Sequence, residues 1–220
     1  MPAPRLLSLS IALFALFAAP SFGQDKPAAE DGFVPLWNGK DFADFDIFPE
    51  GVDSWSVAKG IIKCTGKPNG YIATKKKYRN YVLKVDVRYP EQAGNTGFLI
   101  HVTQPHKVWP QAIEVQGFYN TGGKYPLTNS LGTIFPIAPA KGGRYELNPE
   151  VHQKAIKPHD QWNSIEIVVH EGKIASILNG VKVAEATEPF SLVEGQIAFQ
   201  SEGSPVEFRN LRIKETRKEK

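Results

Sequence analysis

A chain of 220 residues with 41% hydrophobic and 22% charged residues is long enough for one sizeable core. Its formal net charge of +3 is too near neutral to point to nucleic acid. One cysteine cannot close an internal disulfide, so the core alone must hold the fold.

Residues 1–23 read as a cleavable signal peptide. Arg5 supplies a short positive start, residues 6–18 are a nearly unbroken apolar run, and Ser21-Phe22-Gly23 places small residues before a cut after Gly23. The run falls short of the ~20 residues a transmembrane helix needs, and no other stretch approaches that length. Cys64 is far from the cut, which closes the lipoprotein route. No membrane anchor is therefore expected, and the protein is expected in a bacterial periplasm or outside the cell. Arg5 is the one charge of the leader, so the mature chain carries +2. Residues 24–31 form a polar linker with Pro and Ala, 32–215 a single domain, and 216–220 a basic tail. That tail, like Lys75-Lys76-Lys77, reads as solvated surface.

The domain opens with residues 33–41, which include a tight turn at Asn38-Gly39. Residues 54–64 predict a hairpin with Lys59-Gly60 at its tip, and residues 71–74 a short strand. Residues 78–89 predict a long strand with Leu83, Val85 and Val87 on one face and Lys84, Asp86 and Arg88 on the other. Residues 94–102 and 112–116 also alternate. Ile113 and Val115 share one face of the second run, Glu114 and Gln116 the other; Phe98 and Ile100 oppose Leu99 and His101 in the first. In one sheet, His101, Glu114 and Gln116 would line a common polar floor, or simply face solvent.

From 118 to 160 the pattern breaks into Gly, Pro, Asn and Tyr, including Thr121-Gly122-Gly123-Lys124 and Lys141-Gly142-Gly143-Arg144. So long an irregular segment is usually functional or poorly ordered, and it would wall a site floored by Glu114. Strands resume at 162–170, 174–178, 181–184, 195–200 and 206–213, with turns at Glu171-Gly172 and Asn179-Gly180. There is no long amphipathic helix and no internal repeat. Many short strands with glycine-rich turns predict an all-β fold of two antiparallel sheets packed face to face, a jelly-roll sandwich.

Familiar catalytic signatures are absent: no phosphate-cradling glycine loop, no G-x-S-x-G and no H-E-x-x-H. Cys64 sits in an apolar strand and reads as a buried thiol. The five histidines (101, 106, 152, 159 and 170) lack tight metal spacing. An ordinary glycosidase needs two carboxyls ~5–9 Å apart across the sugar. Glu114 could supply one, but its strand neighbour is Gln116, so Glu202, Glu207 or Asp86 would have to supply the second. Among the tryptophans, Trp162 reads as core and Trp109, in a loop beside the key strands, as a platform for stacking a sugar.

The series Pro35-Leu36-Trp37-Asn38-Gly39-Lys40-Asp41, Gly94-Asn95-Thr96-Gly97, Ile113-Glu114-Val115-Gln116, Gln161-Trp162-Asn163, Leu178-Asn179-Gly180 and the two closing strands occurs in that order. It resembles the 3-keto-disaccharide hydrolase domain family over essentially all of residues 32–213. The family pattern often reads Gly-Asn-Ser-Gly where this chain has Thr96, and places His or Glu before the glycine of the final turn, here Glu202. The resemblance implies a concanavalin A-like (laminarinase-like) jelly roll in a secreted bacterial protein. It implies action on a small carbohydrate already oxidised to a ketone at C3, by hydrolysis or by elimination across C1–C2 followed by hydration. A C3 ketone acidifies the C2 proton, so one base suffices, with a donor or cation where charge develops on O3. On that reading Glu114 or His101 is the base, Glu202 the further acid, and Asn95, Gln116 and Gln200 orient hydroxyls. Trp109 stacks the sugar, and Arg209 or a bound divalent cation stabilises the enolate. The alternative is a non-catalytic carbohydrate-binding module on the same fold.

Overall fold

The computed structural model describes residues 32–104 and 107–216. The leader, the linker at 24–31 and residues 217–220 of the tail lie outside them. In chain order the strands are β1 (Val34–Pro35), β2 (Phe45–Phe48), β3 (Trp55–Ala58), β4 (Ile61–Cys64), β5 (Gly70–Thr74), β6 (Tyr81–Arg88), β7 (Gly97–Gln104), β8 (Gln111–Gln116) and β9 (Ile134–Ile137). A short helix, α1 (Pro149–Ala155), precedes β10 (Asn163–His170), β11 (Lys173–Leu178), β12 (Val181–Glu185), β13 (Gln196–Ser201) and β14 (Val206–Glu215).

These strands make the two-sheet antiparallel sandwich that the alternation predicts. One sheet has eight strands in the order β12-β11-β10-β6-β14-β4-β3, with β1 also paired to β14. The other has six, in the order β2-β5-β13-β7-β8-β9. Three hairpin tips, Lys59-Gly60, Glu171-Gly172 and Asn179-Gly180, hold both residues at positive φ. That backbone sense matches the right-handed strand twist, and a glycine at the second position adopts it without strain.

The core lies between the sheets. In β6 the inward residues Tyr81, Leu83, Val85 and Val87 are buried, while Lys84, Asp86 and Arg88 face outward. Phe98 and Phe199 of the six-stranded sheet reach Phe208 of the eight-stranded one, with ring centres 6.2 and 5.5 Å away. Cys64 is buried here and burial pushes its thiol pKa up. A second, smaller apolar cluster, Tyr71, Ala73, Leu99, Val102, Ala112 and Ala198, occupies the opposite face of the six-stranded sheet.

The 118–160 segment is more ordered than its composition suggests. It contributes β9, which pairs with β8, and α1, capped by Asn148 with Pro149 at its first turn. Asn120 ties down the loop between β8 and β9. Its side-chain NH2 donates to the carbonyls of Pro126 (2.7 Å) and Asn129 (3.1 Å), and its Oδ1 accepts from Gly122 N (2.9 Å). Among the described residues no helix is long and apolar enough to cross a membrane.

Candidate functional site

The site is built at one end of three adjacent strands of the six-stranded sheet. In the β7–β8 ladder Gly97 lies opposite Gln116 and Leu99 opposite Glu114. Across β7, Ala198 of β13 lies opposite Leu99, and the Thr96 hydroxyl donates to the Gln200 carbonyl at 2.7 Å. Alternation then turns Glu114, Gln116 and Gln200 to the face away from the main core. Gly97 opens the space they share: a Cβ there would stand 1.9 Å from Gln200 Oε1 and 2.8 Å from Glu114 Oε1.

The polar atoms around this gap are mostly acceptors. Gln200 Oε1 and Asn95 Oδ1 are buried with no hydrogen-bond partner among the described residues. An unpaired buried acceptor costs ~1–3 kcal/mol, so such a pair is poised for a ligand that brings donors. Gln116 has spent its own oxygen, which accepts from Gly117 N and Phe118 N at 2.9 Å each. Only its NH2 remains to meet a ligand.

Glu114 is the chemically prepared group. Burial pushes its pKa up to about 8, the charge of Glu202 adds to the rise, and the charge of Arg144 draws it back. Glu202, just past β13, is itself raised by burial. Two carboxyls that sense each other, both reluctant to ionise, are groups of the kind that can serve as a base and an acid. Glu207 and Asp86 are excluded as the second carboxyl. Both lie in the eight-stranded sheet, where Glu207 is paired with Lys63 (3.2 Å) and Arg88 (2.7 Å), and Asp86 accepts from Arg209.

The structure corrects His101. Between Leu99 and Val102, β7 carries one residue more than β13, and His101 takes φ 55°. This bulge turns the ring inward beside Ile100 instead of onto the Glu114 face. It packs edge-on to Tyr81, 5.9 Å between centres. Its Nδ1 lies 3.1 Å from the Leu192 carbonyl and its Nε2 3.1 Å from that of Arg79. Desolvation lowers its pKa against the pull of those carbonyls. His101 is a structural tie between β7 and two loops, and its ring does not reach the Glu114 face. His101→Phe is expected to cost about 1–3 kcal/mol of stability, by removing the one N–H that a neutral imidazole gives to these carbonyls, with turnover within about twofold of wild type. Urea unfolding run beside the activity assay reads both.

Arg209 is corrected as well. It lies on the outward face of the other sheet, its Nε donating to Asp86 at 3.1 Å and its guanidinium 4.2 Å over the Trp162 ring. Arg88 lies 4.5 Å over the same ring, so Trp162 is a surface stacking partner of two arginines rather than core. Trp109 is 55% exposed, as a platform would be, but it sits in the β7–β8 connection at the end of the hairpin away from Gly97. Among the described residues no three His, Cys, Asp or Glu side chains gather closely enough to hold a metal ion.

Two residues near the gap escape an alternation argument. Arg144 lies 4.6 Å over the ring of Phe135, the cross-strand partner of Glu114. Tyr125, 46% exposed, stands edge-on to Phe118 at 5.3 Å, next to the Gln116 end of β8. Their one sequence signal is the segment that carries them, where glycine pairs precede Lys124-Tyr125 and Arg144.

Comparison with known proteins places the chain in a family and a fold. Residues 32–214 match the family model of the 3-keto-alpha-glucoside-1,2-lyase-like domain. A 3-keto-disaccharide hydrolase of Bacteroides thetaiotaomicron is 23% identical over 86% of this chain and 80% of its own. A solved structure from Parabacteroides distasonis, described as a candidate glycosyl hydrolase, superposes with a TM-score of 0.67 at 27% identity over 84% of this chain and 94% of its own. The β-glucanase of Bacillus licheniformis superposes at 0.52 with 11% identity over 84% and 97%, a likeness of fold.

Proposed function

The chain belongs to the 3-keto-alpha-glucoside-1,2-lyase-like domain family, and on that premise we propose that it is a carbohydrate-active enzyme cleaving glycosides oxidised to a ketone at C3. One observation carries the reading: the buried Glu114 carboxyl, its pKa near 8, meets the unpartnered Gln200 Oε1 over the gap at Gly97, with Glu202 close enough to be felt. A base is most useful when its pKa lies near the working pH, and a ketone makes the C2 proton acidic enough for a carboxylate to take.

Those groups carry the proton transfers. Glu114 takes the proton from C2, and the C–H electron pair becomes the C2–C3 double bond of an enolate whose charge rests on O3. The carbonyl re-forms, the electron pair shifts to C1–C2, and the C1–O bond breaks with its pair on the aglycone oxygen. That oxygen takes its proton from Glu202, giving an alcohol and a 1,2-unsaturated 3-keto sugar. Water added across the new double bond completes a net hydrolysis. Gln200 Oε1 and Asn95 Oδ1 accept from sugar hydroxyls and hold the ring with C2 toward Glu114. The same proposal places the mature chain, cut after Gly23, in the periplasm or beyond it.

Purified protein incubated with 3-keto-trehalose or a 3-keto-glucoside is expected to release the aglycone, and the unoxidised parent to stay intact. No release from any 3-keto glycoside, beside retention of intact glycans in calorimetry, would replace this reading with that of a binding module. Exposed Trp109, remote from the acids, is the feature that favours that second reading.

A further inference from the structure

We propose that the guanidinium of Arg144 receives the C3 oxygen of the sugar, and is therefore what separates an oxidised glycoside from its unoxidised parent. This rests on Glu114 being the base of a ketone-directed elimination. A ketone oxygen can only accept hydrogen bonds, whereas a C3 hydroxyl can also donate. The gap at Gly97 is lined by Gln200 Oε1 and Glu114 Oε1, which suit hydroxyls, and Gln116 opposite Gly97 adds only a neutral NH2. The donor that matters gains most from being a cation, because the C3 oxygen becomes negative when C2 loses its proton.

Arg144 meets that requirement in position and in rigidity. Phe135 lies directly across the β8–β9 ladder from Glu114, and the Arg144 guanidinium rests 4.6 Å over its ring. One terminal nitrogen donates to Asn129 Oδ1 at 2.8 Å, and Nε lies 3.4 Å from Glu146 Oε1. A guanidinium resting on a ring and bonded to an amide is partly oriented before substrate arrives, so less is lost in ordering it. Its second terminal nitrogen makes no hydrogen bond among the described residues, which leaves a donor for O3. Its charge already reaches the Glu114 carboxyl, the group that must lie on the other side of C2 and C3. In the elimination no atom of Arg144 is consumed: it pairs with the enolate oxygen when the C–H pair moves in and releases it when the carbonyl re-forms.

The test compares wild type, Arg144→Met and Arg144→Lys on a nitrophenyl 3-keto-glucoside, with calorimetric binding of the unoxidised glucoside to each. The Met variant is expected to lose about 10²-fold in kcat/KM, with Lys recovering part of it. Affinity for the unoxidised glucoside should change less than about threefold. The rising limb of the rate against pH should move to higher pH in the Met variant, because Glu114 loses a neighbouring cation; a wall residue without this role would not move it. Thermal melting checks that each variant folds. A Met variant within about threefold of wild-type turnover, or one losing ketone turnover and glucoside binding alike, overturns the assignment. Wild type failing to cleave any 3-keto glycoside overturns it too, and is recognisable because the parent reading then falls with it.

Discussion

Glu114→Gln is expected to lower turnover of a 3-keto glycoside by about 10²–10⁴-fold and, in the same protein, to raise stability in alkaline buffer. The loss arises because an amide cannot take the C2 proton. The gain arises from the same burial that makes the carboxylate a useful base. Glu114 has its pKa near 8 in the fold, against an ordinary 4.5. Between those two values the unfolded chain sheds this proton while the folded chain keeps it, so wild-type stability falls as pH rises from about 4.5 to about 8. Below that window the carboxyl is protonated in both states and costs nothing; above it the full penalty applies. Gln carries no proton to lose, so the variant should exceed wild type by roughly 3–5 kcal/mol above pH 8 and by little near pH 4. Urea unfolding at pH 4, 6 and 9, set beside initial rates, separates the two effects. A variant with undiminished turnover removes Glu114 from the chemistry; one no more stable at pH 9 removes the burial on which its basicity depends.

The fold and half of the site could be read from the chain because they depend on alternation in regular ladders. Glu114, Gln116 and Gln200 face one way because the β7–β8 pairing is unbroken from Gly97 to Ile100 and the β13–β7 pairing from Ala198 onward. The hairpin tips were equally legible, since a residue followed by glycine between two-faced runs permits few other turns. His101 and Arg209 were not, and for a common reason: each adjoins or occupies a bulge. His101 and Asn210 both take positive φ, and the register shifts there. An inserted residue reverses the face of every later residue in its strand, and nothing in the residue types announces it. Alternation is also silent on which sheet a strand joins, so Arg209 could be assigned a face but not a side of the sandwich. Arg144 and Tyr125 were hidden differently. Their positions come from β9, a four-residue strand containing Pro136, and from the Asn120 hydrogen bonds that shape a loop without periodicity.

Gly97→Ala is the substitution in which these arguments meet, and its expected signature is a loss of activity with the fold intact. Gly97 is not held at positive φ, so its backbone accepts alanine, which also narrows the unfolded ensemble by up to about 1 kcal/mol. The new Cβ would stand 1.9 Å from Gln200 Oε1 and 2.8 Å from Glu114 Oε1, separations no carbon and oxygen sustain. Both are ends of flexible side chains, so the clash is relieved by swinging the amide and the carboxyl aside while the strands stay in register. Moving a base and a hydroxyl acceptor by an ångström or more is expected to cost about 10²–10³-fold in kcat. Contrast Gly66, where the nearest atoms are backbone of Ser204 at 2.3 Å and φ is 81°; relief there would have to come from the chain itself. Circular dichroism and melting temperature near wild type, with turnover collapsed, would place substrate over the Gly97 gap. Turnover left untouched would mean that the sugar never rests on these oxygens, and the roles given to Gln200 and Glu114 would fall together.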